Sequence, residues 1–216
     1  MSLLIFDLDG TLIDSRLDLA NAVNATRLQT GRDAVDHDLI YSWVGNGAPV
    51  LIRRALGEAA PQQEVDAALE FFLNWYRAHC VEHTVLYPGV TESLVSLHEA
   101  GHTLAVLTNK PVRISNFIME HFGLAEMMLK VYGGNSFAQK KPHPVGIETL
   151  RAEASASPED TWMIGDSSVD IKTARAAGVL ACGVTYGFQP ETLSDPTPDL
   201  LCHQIEEFAD HILRLR

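Results

Sequence analysis

Cysteine is scarce in this chain of 216 residues: Cys80, Cys182 and Cys202 are an odd, scattered set. No disulfide framework fits them, and with no Cys-x-x-Cys pair structural zinc is not expected. A reducing, cytoplasmic setting is. Positive charge is scarce too. Lys and Arg number 16 against 28 Asp and Glu, the net charge is −12, and no Lys/Arg block occurs. Nucleic acid and anionic membrane surfaces are therefore not expected as partners. No apolar run approaches the roughly 18 residues of a transmembrane helix. Residues 2–6 are too short, and lack the basic flank, for a signal peptide. No internal repeat or low-complexity stretch is present. Hydrophobic residues make up 46% and charged residues 20%, the balance of an ordinary globular protein. The length suits one large domain, or a main domain carrying a smaller insert. With so few basic groups, any anion site must supply its own positive charge from a metal, a lysine or a helix N-terminus.

Short apolar runs alternate with helical stretches. Strands are predicted at 3–6, 104–107, 130–132, 162–164, 181–184 and 199–202, and helices at 90–100, 111–122, 144–154, 169–177 and 204–214. Gly101, Gly123 and Gly178 stand where helices stop. The alternation implies an α/β fold, a parallel sheet with helices on both faces. Residues 15–84 break the pattern. Segments 17–28, 38–43, 48–56 and 64–80 all carry helical spacing, with Leu69, Phe72, Leu73 and Tyr76 as an apolar stripe. A helical domain over 15–84 is expected, inserted into a core of 1–14 and 85–216.

Four strand ends carry polar groups. The first strand runs into Asp7-Leu8-Asp9-Gly10-Thr11. Ligands of open parallel sheets bind beyond the carboxyl ends of strands, whereas a plain turn would need neither acid. A calcium loop is excluded, because Gly10 is fourth from Asp7 and Asp18 is twelfth, where Gly at six and Glu at twelve are required. The second strand ends in Thr108-Asn109-Lys110-Pro111. Thr108 or Asn109 either caps the next helix or presents polar groups to an anion. Lys140-Lys141-Pro142-His143-Pro144 is a stiffened loop before a helix. Its lysines either solvate a surface or meet a fixed anion. The fourth strand runs into Gly165-Asp166-Ser167-Ser168-Val169-Asp170. Ser167-x-x-Asp170 reads as a capping box, while Asp7 and Asp166 together suit a hard cation such as Mg²⁺.

The ordered set Asp7-x-Asp9-Gly10-Thr11, Thr108-Asn109, Lys141-Pro142 and Gly165-Asp166-x-x-x-Asp170 resembles the haloacid dehalogenase superfamily over almost the whole chain. The resemblance implies a Rossmann-like core with a helical cap inserted after the first motif. It implies that Asp7 is a nucleophile forming an aspartyl-phosphate and that Asp9 is the acid and base. Mg²⁺ would be held by the Asp7 side chain, the Asp9 backbone carbonyl and Asp166. Thr108, Asn109 and Lys141 would grip the phosphoryl group, and Asp170 would support the metal shell, orienting Lys141 or a bound water. An alkoxide leaving group needs the acid that Asp9 supplies and a halide does not, so phosphate esters are favoured over haloacids. Residues 43–56 and Val184-Thr185-Tyr186-Gly187 are similar to phosphoglycolate phosphatases. The loop Gly45-Asn46-Gly47 either is an interhelix turn or receives a substrate carboxylate at the next helix start. The expectation is a phosphatase of small phosphorylated metabolites, a monomer or homodimer. A phosphomutase using the same acids is the alternative, and a non-catalytic binder of phosphorylated ligands is another. His79-Cys80-Val81-Glu82-His83 matches a zinc-protease pattern, but three fixed positions arise easily by chance.

Overall fold

The computed structural model describes residues 1–215. Two compact units divide the chain: Met1–Asp14 with everything from Leu86 onward, and Ser15–Val85.

The first unit is built on six strands: β1 (Leu3–Phe6), β4 (Thr103–Leu107), β5 (Met128–Tyr132), β6 (Thr161–Gly165), β7 (Leu180–Val184) and β8 (Leu200–Cys202). Two further strands of two residues each, β2 (Ile13–Asp14) and β3 (Val85–Leu86), stand where the chain leaves this unit and returns. They are too short for any periodicity to betray them. The six-stranded order is β5-β4-β1-β6-β7-β8, and every neighbour pair is parallel. All four residues of β1 are buried, as expected of a strand covered on both faces. Side chains alternate along it. Leu3 and Ile5 join Ile147, Leu150, Met163 and Ile171 in one cluster. Phe6 meets Phe208 edge-on at 6.1 Å, and Trp162 meets Phe208 at 5.7 Å.

The helices of this unit are α5 (Val90–Glu99), α6 (Val112–His121), α7 (Val145–Ala154), α8 (Ser168–Ala177) and α9 (Ile205–Arg214). Predicted and observed bounds of the long elements agree to within two residues. The strand expected at 199 starts at Leu200, and Asp199 before it accepts through its side chain from Arg175 Nη1 at 2.7 Å and the Ala181 N–H at 2.8 Å. Sheet order reverses direction at β1, which has β4 on one side and β6 on the other. The ends of these three strands therefore border one crevice.

The second unit contains α1 (Arg16–Gln29), α2 (His37–Tyr41), α3 (Ala48–Leu56) and α4 (Gln62–His79). Leu19, Val23, Ile52, Phe72 and Tyr76 are among its buried residues. Asp18, in the first turn of α1, is also buried. Its carboxylate accepts from the N–H groups of His83 and Thr84 and from Thr84 Oγ1. Asn24, part of an N-x-T sequon, spends its amide on the Val35 backbone, donating and accepting at 2.9 Å. The buried line on α4 is Val65, Ala68, Phe72 and Tyr76, with Leu69 and Leu73 at its margin. Among the described residues, no helix is long and apolar enough to cross a membrane.

Candidate active site

Register explains how the sequence gathers the site. Phe6 pairs with Val106 on one side and Ile164 on the other. Asp7, Thr108 and Asp166, each one or two residues further on, therefore leave the sheet at one edge. Asp7 is anchored there by its own N–H to the Ile164 carbonyl at 2.8 Å, and its Oδ1 accepts the Leu8 N–H at 2.7 Å.

Lys141 is the positive centre. Its Nζ lies 2.9 Å from Asp7 Oδ1 and 2.6 Å from Asp170 Oδ1, and the Lys141 and Asp170 side chains are 2% and 0% exposed. Of the two readings of the lysine loop, Lys141 thus takes the second, a fixed anion. Asn109 Nδ2 donates to the Lys141 carbonyl at 3.2 Å and so braces the lysine's backbone. The capping-box reading of Asp170 also holds. Its Oδ2 accepts from the Ser167 N–H and Oγ at 3.2 and 2.8 Å while Oδ1 takes Lys141. One oxygen of Asp170 thus meets Lys141 while the other closes the start of α8.

Asp166 is held from the far side. Its Oδ2 accepts the N–H groups of Phe188 and Gln189 at 2.6 and 3.3 Å. These donors escaped the sequence reading, because a backbone N–H has no side-chain signature. The only trace was Gly187, noted there as part of a similarity. A Cβ on Gly10 would fall 2.3 Å from Asp166 Oδ2, and one on Gly165 would fall 2.1 Å from the Asp170 Cγ. The glycines beside the acids are thus dictated by space.

Asp9 points to a residue that the sequence reading passed over. Lys110 Nζ donates to Asp9 Oδ1 at 2.7 Å. Neither Thr108 nor Asn109 caps α6. The first N–H of that helix, on Val112, goes to Asn135 Oδ1 at 2.9 Å, while Thr108 Oγ1 accepts the Lys110 N–H at 3.2 Å.

The electrostatics are those of crowded acids. Carboxylate oxygens of Asp7, Asp166 and Asp170 lie within 4.8 Å of one another. Burial pushes the Asp7 carboxyl up to about 6, with Asp170 adding to the rise and Lys141 opposing it. Burial, then the charges of Asp170 and Asp7, carry Asp166 well above the ordinary carboxylate range. Burial also disfavours the Lys141 ammonium, but Asp170 and Asp7 outweigh it and the lysine is raised. One ammonium cannot offset three buried carboxylates, which is why two of the acids resist ionisation. The donor set is all oxygen and fits a hard divalent cation.

Gly45, Asn46 and Gly47 belong to the helical unit, in the turn from α2 to α3, where Gly45 and Gly47 take φ of 109° and 83°. Arg54 Nη1 holds the Trp43 carbonyl at 2.8 Å beside them. The zinc-like pattern dissolves in the same unit. His79 stacks on Trp75 at 3.9 Å, and His83 Nδ1 sits 2.9 Å from Asp18.

Comparison with known proteins gives one consistent result. Residues 4–184 match the family described as haloacid dehalogenase-like hydrolase. A phosphoglycolate phosphatase of Colwellia psychrerythraea (strain 34H) is 42% identical over 192 residues, covering 86% of this chain and 84% of that protein. One from Vibrio vulnificus (strain YJ016) is 37% identical, covering 99% and 96%. A crystal structure of a protein described as a predicted phosphoglycolate phosphatase from Haemophilus somnus 129PT superposes with a TM-score of 0.92 at 32% identity, covering 100% and 98%. With its acids, lysine and sheet order in the places described, the chain belongs to the haloacid dehalogenase-like hydrolases.

Proposed function

We propose that this protein is a magnesium-dependent phosphatase that works through an aspartyl-phosphate on Asp7 and takes phosphoglycolate as its substrate. The coarser part rests on kinship: the hydrolase family and relatives named phosphoglycolate phosphatase make the chain a phosphatase, and such hydrolases generally use a metal ion. The observation that carries the mechanism is Lys141, bridging Asp7 and Asp170 at 2.9 and 2.6 Å beside Asp166.

In this reading an Asp7 carboxylate oxygen attacks phosphorus. The ester P–O bond breaks, its electron pair leaves with the alkoxide oxygen, and Asp9 gives that oxygen its proton. Water then attacks the aspartyl-phosphate, Asp9 takes a proton from it, and free phosphate and Asp7 are regenerated. Lys141, Thr108 and Asn109 hold the transferring group, which needs positioning and charge stabilisation above all. Asp170 aims Lys141. The Asp7 side chain, the Asp9 backbone carbonyl and Asp166 are the ligands for Mg²⁺. When bound, the ion offsets charge on the phosphoryl oxygens and on the crowded carboxylates. The Ser15–Val85 unit serves as the cap, and Gly45, Asn46 and Gly47 before α3 receive the substrate carboxylate. Phosphoglycolate, small and carrying both a phosphate and a carboxylate, suits that division of labour, and the two relatives carry its name.

The test is phosphate release from a panel of small esters by wild type and Asp7→Asn, with Mg²⁺ or with EDTA. Magnesium-dependent release that vanishes in the variant and is fastest on phosphoglycolate supports the reading. A different best ester removes the substrate assignment alone. An isomerised product with little free phosphate points to a mutase, and no turnover in any condition defeats the hydrolytic mechanism.

A further inference from the structure

The segment after β4 is clamped more firmly than a connecting loop requires. The Lys110 N–H is held by Thr108 Oγ1 at 3.2 Å, and its carbonyl accepts the Gly134 N–H at 2.9 Å. Gly133 and Gly134 lie flat against this backbone. A Cβ on Gly133 would fall 2.4 Å from the Val112 nitrogen, and one on Gly134 would fall 2.3 Å from the Asn109 carbonyl oxygen. Asn135 closes the arrangement by capping α6 at Val112. From this fixed base the Lys110 side chain, 2% exposed, reaches Asp9 Oδ1 at 2.7 Å. Burying an ammonium is costly without a well-placed partner, and here that partner is the carboxyl group assigned to proton transfer.

We infer that Lys110 is a positioning residue for the reaction, acting through Asp9. The inference rests on the reading of Asp9 as proton donor given above. Lys110 fixes the direction in which the Asp9 carboxyl group is turned. When Asp9 passes its proton to the departing ester oxygen, the new carboxylate charge appears beside a fixed ammonium. The ammonium holds that carboxyl group in one orientation throughout the transfer, so the contribution is one of positioning.

Leaving-group chemistry separates this role from a merely structural one. An alkoxide needs a proton to leave, whereas dinitrophenolate departs as an anion. The experiment compares kcat/KM for phosphoglycolate and for 2,4-dinitrophenyl phosphate in wild type, Lys110→Met and Lys110→Arg. This ratio reports the phosphorylation half of the cycle. General acids contribute 10²–10⁴-fold, so Lys110→Met should lose about 10²-fold on phosphoglycolate and at least about tenfold less on the activated ester. Lys110→Arg, which keeps the charge, should recover part of the loss. In an Asp9→Asn background, Lys110→Met should add almost nothing, as expected when one residue acts through the other. Equal losses on both esters, no loss, or a gain on phosphoglycolate overturn the inference. If Lys110→Met fails to fold, the ester comparison in Lys110→Arg decides in the same way. A wild type without Asp7-dependent release on either ester defeats the catalytic reading and this inference together. A working wild type with equal losses defeats this inference alone.

Discussion

Gly187 packs so closely on Asp166 that a Cβ at the glycine would lie 2.2 Å from the Cβ of the aspartate. The same added atom would sit 2.3 Å from the Gly10 carbonyl oxygen. Both obstacles belong to short, tethered groups, so neither can step aside cheaply. Gly187→Ala should cost about 1–3 kcal/mol, the range for overpacking. It should also displace Asp166, so the thermal midpoint and the phosphatase rate are expected to fall together. A variant as stable and active as wild type would refute the tight fit.

Lys141 sits between two buried acids, and removing it strands charge. Lys141→Ala leaves Asp170 fully buried with no cation against it. Breaking a buried ion pair from one side costs about 3–5 kcal/mol. Urea unfolding near neutral pH should show a loss on that scale, in addition to loss of turnover. In Lys141→Ala/Asp170→Ala the stability deficit should shrink, because the stranded charge goes with its partner.

Asp18 offers a pH test within the helical unit. Burial opposes its ionised form, but the donors from His83 and Thr84 outweigh this and hold its pKa below the usual carboxylate value. A depressed folded pKa adds stability that is present above the unfolded value, about 3.9, and lost as pH falls through the lower folded one. Asp18→Ala should therefore cost about 1.5–3 kcal/mol at neutral pH, the scale of hydrogen bonds to charged groups. That difference from wild type should narrow below about pH 4 in acid-denaturation curves. A constant deficit across pH would count against the carboxylate as its source.

Crowding of Asp7 and Asp166 also predicts linkage to a cation. Mg²⁺ should raise the thermal midpoint of wild type, by about 2.7 kcal/mol of stabilisation at a hundredfold excess over Kd. Asp166→Asn should shift far less, which differential scanning calorimetry with and without EDTA can read. An equal shift in both proteins would place the binding elsewhere.

What the sequence disclosed and what it concealed follow physical lines. Asp7 and Asp166 were visible because each ends an apolar strand, and an acid there has to be explained. The helical stretch beginning at Ser15 was visible because strand patterning stops. Lys110 was hidden in plain view, since Thr108-Asn109-Lys110-Pro111 reads locally as a helix start. The actual cap comes from Asn135, 23 residues away. No local pattern encodes that distance. Phe188 and Gln189 act through backbone N–H groups, which any residue but proline could supply.

The central place of β1 in the sheet also bears on how the chain comes off the ribosome. Leu3 pairs with Thr103 on one side and Thr161 on the other. A strand apolar on both faces thus waits until Thr103 for its first partner and until Thr161 for its second. Until then it is an open edge of the kind that recruits other chains. The arrangement that brings four distant segments to one crevice therefore leaves the newborn polypeptide exposed to aggregation until its sixth strand has been made.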